Sequence, residues 1–273
     1  MALTLTAAQA HGPLHEEISR LTLELRQQPD DPARLARRGE LLQLHGLPDQ
    51  ALADFEQLAR LRPKDITNDF RLGQARLELG QTNDAVVLLT RFATHRPASV
   101  TGHLILARAL VRAGQPMEAS QHFARVIALS PEPLPDWFLE QFRALRSADV
   151  PVADQAACLN AGIGQLGPLP VLVLPAVDLE VRRGNIDRAL ALLDALAARA
   201  ERKERWLSRR GDVLLEAGRT QEARAEFVAA RRALDSLPDR LQRAWTATEL
   251  RQQLDAKLAA LTPAADAQRS TSP

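Results

Sequence analysis

The segment Gly162-Ile-Gly-Gln-Leu-Gly167 has the lettering of a dinucleotide-binding fingerprint, in which backbone amides at a strand-to-helix turn face a pyrophosphate. That chemistry needs a strand before the glycines and a helix N-terminus after them. Here a helical pattern precedes the segment, and Pro168 and Pro170 follow it, so it reads as a helix-end loop. Histidines are the natural metal ligands. His11 and His15 stand four residues apart, but Gly12 and Pro13 disfavour the helix that would bring both rings to one face. His95, His103 and His122 fall on different expected helices without an obvious carboxylate partner, and His103 sits on a packed stripe. Cys158 has no His or Arg close by in sequence and shares a helix with Leu159 and Ile163, which suits a buried, inert thiol. As the single cysteine it also excludes an intramolecular disulfide and a cysteine-cluster metal site. The acidic pairs Asp30–Asp31 and Glu16–Glu17 suit helix starts, where the dipole favours negative charge. No nucleophile-elbow, Walker or zinc-protease motif occurs. The expectation is a chain that is not an enzyme and takes neither metal nor cofactor.

Composition bounds the partners. The 273 residues carry a net charge of +1, which argues against a nucleic-acid binder, and all but three of the 35 basic residues are arginine. Apolar residues make up 45%, aromatics only 4%, and tyrosine is absent. Length alone suggests roughly two domains. The longest apolar stretch, residues 169–177, is interrupted by two prolines and is about half the length needed to span a bilayer. The first twelve residues lack the basic and apolar regions of a secretory signal. The expected address is the cytoplasm, with the periplasm or secretion as the alternative if a signal has been removed.

The elements that would position any site follow from a repeat. Gly46, Gly80 and Gly114 stand 34 residues apart, as do Ala51, Ala85 and Ala119, and Pro63, Pro97 and Pro131; Phe55, Leu89 and Phe123 keep the same beat. The beat resumes at Gly184 and Gly218, with Ala189 and Ala223, and Leu193 and Phe227. Each unit reads as two antiparallel helices. In the first, Asp31 caps, Pro32 opens the helix, and Leu35, Gly39 and Leu42 form its stripe. Gly46 ends that helix in the left-handed conformation, Pro48 or Asp49 starts the second, and Pro63 stops it.

These residues resemble the tetratricopeptide repeat family, bacterial type, whose pattern places large residues at positions 4, 11 and 24, Gly or Ala at 8, Gly or similar at 15, Ala at 20, a small residue at 27 and Pro at 32. The second unit departs from it with Asp69 and Arg76 in apolar slots. The resemblance implies an all-α fold, a right-handed α-solenoid of stacked antiparallel helix pairs with about fourteen helices. The expected organisation is a flexible segment 1–13 and a capping helix 14–31, then six repeats (32–65, 66–99, 100–133, a degenerate 134–169, 170–203 and 204–237). A capping helix 238–262, carrying Leu241, Trp245, Leu250, Leu254, Leu258 and Leu261 on one stripe, and a disordered tail 263–273 complete it. Asp149-Val-Pro151 should turn the degenerate unit, and Pro175 should kink the helix it falls in or mark its start.

The resemblance further implies a concave groove lined by first helices. Its expected peptide-binding residues are Glu40, Phe70, Gln74, Leu77, Leu104, Arg108 and Arg112, with the alternative that Phe70, Leu77 and Leu104 only pack between helices. Ala36 and Glu40 stand where relatives that clamp a chaperone's terminal carboxylate carry Lys and Asn, so that clamp is absent. The implied function is a non-catalytic scaffold or adaptor binding a peptide or helix of another protein. The alternative is a structural subunit that self-associates through its ends or convex face, for which Trp137, Phe138 and Phe142 would suit an interface.

Overall fold

The computed structural model describes residues 7–261, and their regular structure is entirely helical, with fifteen helices. The chain divides into two compact units, Met1–Ala148 and Asp149–Pro273.

In unit 1, helix α1 (Ala7–Gln27) precedes three hairpins and a last helix: α2 (Pro32–Leu44) with α3 (Pro48–Leu61), α4 (Thr67–Glu78) with α5 (Thr82–His95), α6 (Val100–Arg112) with α7 (Pro116–Leu129), then α8 (Pro135–Ser147). Loops of three residues join the partners of each hairpin, which forces them antiparallel. Asp31 Oδ1 accepts from the amides of Ala33 and Arg34 at 2.9 and 3.0 Å, satisfying donors that the first turn of α2 leaves open. Each hairpin turn is one recurrent motif. At Gly46, with φ of 78°, the Leu47 amide donates to the Leu42 carbonyl and the Gly46 amide to that of Gln43, both at 2.9 Å. The same pair of bonds recurs around Gly80 and Gly114.

Between paired helices the large slot is filled by Phe55, Leu89 or Phe123, all fully buried. Gly39 and Gly73 face Phe55 and Leu89, and the absent side chain is what lets the axes approach. Arg38 holds Asp54 through two bonds, 2.8 and 2.6 Å, and also donates to Thr22, so one guanidinium ties α1, α2 and α3 together. The off-pattern residues of the second unit are answered by partners: Asp69 pairs with Arg91, and Arg76 with Asp84 and Glu56.

Unit 2 contains α9 (Val152–Leu166), α10 (Pro170–Arg182) with α11 (Ile186–Arg199), α12 (Glu204–Glu216) with α13 (Thr220–Asp235), the single turn α14 (Asp239–Gln242), and α15 (Trp245–Ala260) packed on α13. Gly184 and Gly218 repeat the turn motif, and Gly211 faces Phe227 as Gly39 faces Phe55. Glu180, almost wholly buried in a slot where the pattern has a large apolar residue, accepts from Arg183 and Asn185.

Several expectations are corrected. Helix α1 begins at Ala7, ahead of Leu14, and runs through Gly12 and Pro13; the proline forgoes only the one bond to the carbonyl of residue 9. Residues 1–6 and the expected tail 263–273 lie outside the described residues. The C-terminal cap is a single turn and a helix, not one stripe. Trp245 is 75% exposed and Leu241 also faces solvent, while Ala247 and Leu254 make the buried contact, because Ala244 breaks the helix before Trp245. Helix α10 starts at Pro170 and continues through Pro175, which leaves the Val171 carbonyl without its helical donor. Phe138 and Phe142 are core residues, so the expected aromatic interface is not available.

Candidate functional site

The dinucleotide-like glycines play no part in a site: Gly162 and Gly164 lie inside α9, and Gly167 ends it at φ of 83°. Cys158 is buried, and burial alone pushes its thiol up to about 12, far from a reactive thiolate at neutral pH. His103 and His122 come together, with their Nδ1 atoms 3.0 Å apart, and His103 Nε2 lies 3.2 Å from the Pro97 carbonyl. Among the described residues no group of three or more His, Cys, Asp or Glu side chains is placed to hold a metal. No described helix is long and apolar enough to cross a membrane.

The expected groove residues divide into three kinds. Leu77 is buried in the core cluster, and Phe70 and Leu104 pack against it, with the Phe70 ring 4.9 Å from that of Phe92. Gln74 is half-buried on α4. Glu40 and Arg108 are engaged with the next first helix of unit 1. Arg71 on α4 donates twice to Glu40 on α2, at 3.1 and 2.9 Å. Arg108 on α6 forks onto Glu140 on α8, at 3.0 and 2.8 Å. Gln43 donates to Glu78 in the same manner, and Arg112 to the Leu77 carbonyl near the end of α4, which also accepts from the Gly80 amide of the turn. In unit 2, Arg209 on α12 pairs with Asp178 on α10. The first helices of successive hairpins are therefore strapped together by polar bridges between residues 31 to 35 apart in sequence. Sequence reasoning missed these straps. Their signal was an acidic residue with an arginine 31 positions later, at Glu40–Arg71 and again at Asp178–Arg209.

One part of this face in unit 1 remains open. A cleft of about 640 Å³ lies between the C-terminal half of α6, the start of α7, and α8. Its apolar lining is Val111, Pro116, Phe123 and Ala144; Arg108, Arg112, Glu140, Arg143 and Ser147 supply the polar edges. Val111 is 47% exposed, whereas Phe123 and Ala144 are buried and form the floor. Of the cleft residues, Arg108, Val111 and Arg112 fall at expected groove-facing positions of α6; Glu140 and Arg143 were not expected, since the degenerate α8 carries no family position to read them from.

A family profile described as tetratricopeptide repeat matches residues 70–132 and 174–238, which take in most of the α4/α5, α6/α7, α10/α11 and α12/α13 hairpins. These two stretches are tetratricopeptide repeats. None of the curated proteins compared matches it. Solved structures share its fold. A tetratricopeptide repeat protein from Parabacteroides merdae is 18% identical, covering 90% of this chain and 94% of that one, with a TM-score of 0.51. The C-terminal part of a repeat-containing protein from Cytophaga hutchinsonii is 14% identical over 93% of each chain, with a TM-score of 0.55. A chain of the Naa15/Naa10 structure bound to HypK-THB is 15% identical over 93% of this repeat protein and 44% of its own length, with a TM-score of 0.53. Tetratricopeptide repeat folds serve generally as protein–protein interaction scaffolds.

Proposed function

We propose that the protein is a non-catalytic scaffold that holds a peptide or helix of another protein against the first-helix face of unit 1, seated in the cleft between α6 and α8. The observation that carries this reading is that Glu40 and Arg108 bridge neighbouring first helices, while Val111 and Pro116, over the buried Phe123 and Ala144, keep an apolar part of the cleft open beside Arg108. An apolar floor edged by a few polar groups is the form a peptide-binding groove takes. The multi-protein character of the similar Naa15/Naa10 structure with HypK-THB supports a binding role for the fold. A photo-crosslinking residue placed at Val111, with Val87 on the exposed side of α5 as control, tests it. Partner adducts should form from position 111 and not from 87; adducts from 87 alone would put the binding face elsewhere.

A second reading, self-association through the C-terminal end, is favoured by Trp245, a large apolar residue that is 75% exposed. Light scattering across concentrations decides it: a mass that rises with concentration and returns to the monomer value in Trp245→Ala supports it.

A further inference from the structure

Three guanidinium groups edge the cleft of unit 1, and their partners differ. Arg108 is paired with Glu140, which accepts from its Nε and one Nη. Arg112 spends one donor on the Leu77 carbonyl at 3.2 Å, and no carboxylate of the described residues lies within ion-pair distance of it. The acidic group that it feels is Glu78, whose carboxyl burial pushes up and whose oxygen already accepts from Gln43. Arg143 is exposed and bonds to no carboxylate among the described residues, since its neighbour Glu140 is committed to Arg108. Arg112 stands on α6 and Arg143 on α8, so two guanidinium groups that are in no ion pair among the described residues flank the Val111, Phe123 and Ala144 floor.

That arrangement selects the chemistry of an occupant. A basic segment would bring like charge against both arginines. An uncharged one would cover two guanidinium forks without giving them acceptors. A carboxylate on either side of an apolar residue meets both forks, each capable of a two-bond pairing. Resting on the reading of the cleft as the docking site, we propose that it recognises an acidic segment of a partner protein, with one apolar side chain on the floor and flanking Asp or Glu carboxylates paired with Arg112 and Arg143. A free C-terminal carboxylate is not required, because the residues that would clamp one at Ala36 and Glu40 are of the wrong type.

The test selects a random dodecapeptide phage library on the immobilised full chain, in parallel on wild type and on R112E/R143E. Wild type should enrich peptides with Asp or Glu flanking a Leu, Ile, Val or Phe, and the double variant should enrich Lys and Arg in their place. The best wild-type peptide, made with an amidated C-terminus, should lose affinity about tenfold on R143E alone, an exposed position whose change leaves the fold intact by circular dichroism. Its binding should weaken as salt rises. A wild-type pool with an apolar consensus but no acidic residues overturns the acidic assignment and leaves the cleft reading standing. An acidic pool that survives unchanged on R112E/R143E overturns the assignment to these two arginines. A wild-type pool with no consensus, together with no adduct from position 111, overturns both. Tight binding of poly(U) that depends on Arg112 and Arg143, with no acidic peptide selected, replaces the proposed partner with RNA.

Discussion

The ring of Phe55 lies where the side chain of Gly39 would be, and Phe227 lies likewise over Gly211. Across the hairpins the two facing slots trade volume. Glycine meets phenylalanine twice, Gly73 meets Leu89, Ala107 stands with Phe123, and Val177 stands with Leu193. A methyl added at Gly39 must push the Phe55 ring or the helix, so Gly39→Ala should destabilise unit 1 by about 1–3 kcal/mol. The combination with Phe55→Leu should cost less than the sum of the two changes, because Leu89 shows that a leucine fits such a slot; the urea midpoints of the four proteins of the cycle measure this, and strict additivity would contradict it. The histidine pair gives a pH dependence. Nε2 of His103 must donate to the Pro97 carbonyl, so its Nδ1 accepts, and the neutral pair has the Nδ1 proton on His122. Burial first, and then the neighbouring His103, hold His122 below its ordinary value of 6.5, with Glu118 opposing. The unfolded chain thus binds the proton more readily. The His122 contribution is fully present above about pH 6.5 and is lost as pH falls toward the depressed folded value. Unit 1 should therefore melt at lower temperature at pH 5 than at pH 7.5, and His122→Gln should flatten that step.

At the scale of the element, helix pairs were readable because each carries its own punctuation: Pro32 and Pro48 at helix starts, Gly46 at the turn, Pro63 after the end. The ends of the chain were less readable, since α1 tolerates Pro13 and α15 begins afresh at Trp245, and neither is fixed by the repeat. The candidate site was half readable. Arg108 and Arg112 sit at repeat positions that face a groove, but which of them is already occupied depends on Glu140 and Leu77, more than thirty residues away in sequence. Burial decided the rest: Leu77 differs from an exposed Val111 only through the neighbours stacked on it. Pro175 belongs here as well. Buried packing of Leu172, Val173, Ala176 and Val177 holds α10 together around a missing backbone bond. Pro175→Ala restores a donor for the Val171 carbonyl, and the thermal midpoint of the protein should rise; a fall would show that the ring's own packing outweighs the bond.

For the whole molecule, a division into two compact units predicts unfolding that depends on where it is watched. Trp137 reports on unit 1, and Trp206 and Trp245 on unit 2. In variants keeping only Trp137 or only Trp206, Gly39→Ala should lower the transition seen at Trp137 more than the one seen at Trp206. Equal shifts at both probes would mean that the chain unfolds as one cooperative block.

The turn glycines carry a stereochemical consequence. Gly46, Gly80, Gly114, Gly184 and Gly218 all hold φ between 74° and 78°, and an L-side chain built there meets no atom within 4 Å. The objection to alanine at these turns is thus one of handedness rather than of space. Their backbone is the ordinary helical geometry of a mirror-image residue. A semisynthetic chain with D-alanine at Gly46 should keep its turn and gain about 0.4–1 kcal/mol by restricting the unfolded state, while L-alanine at the same place should lose stability.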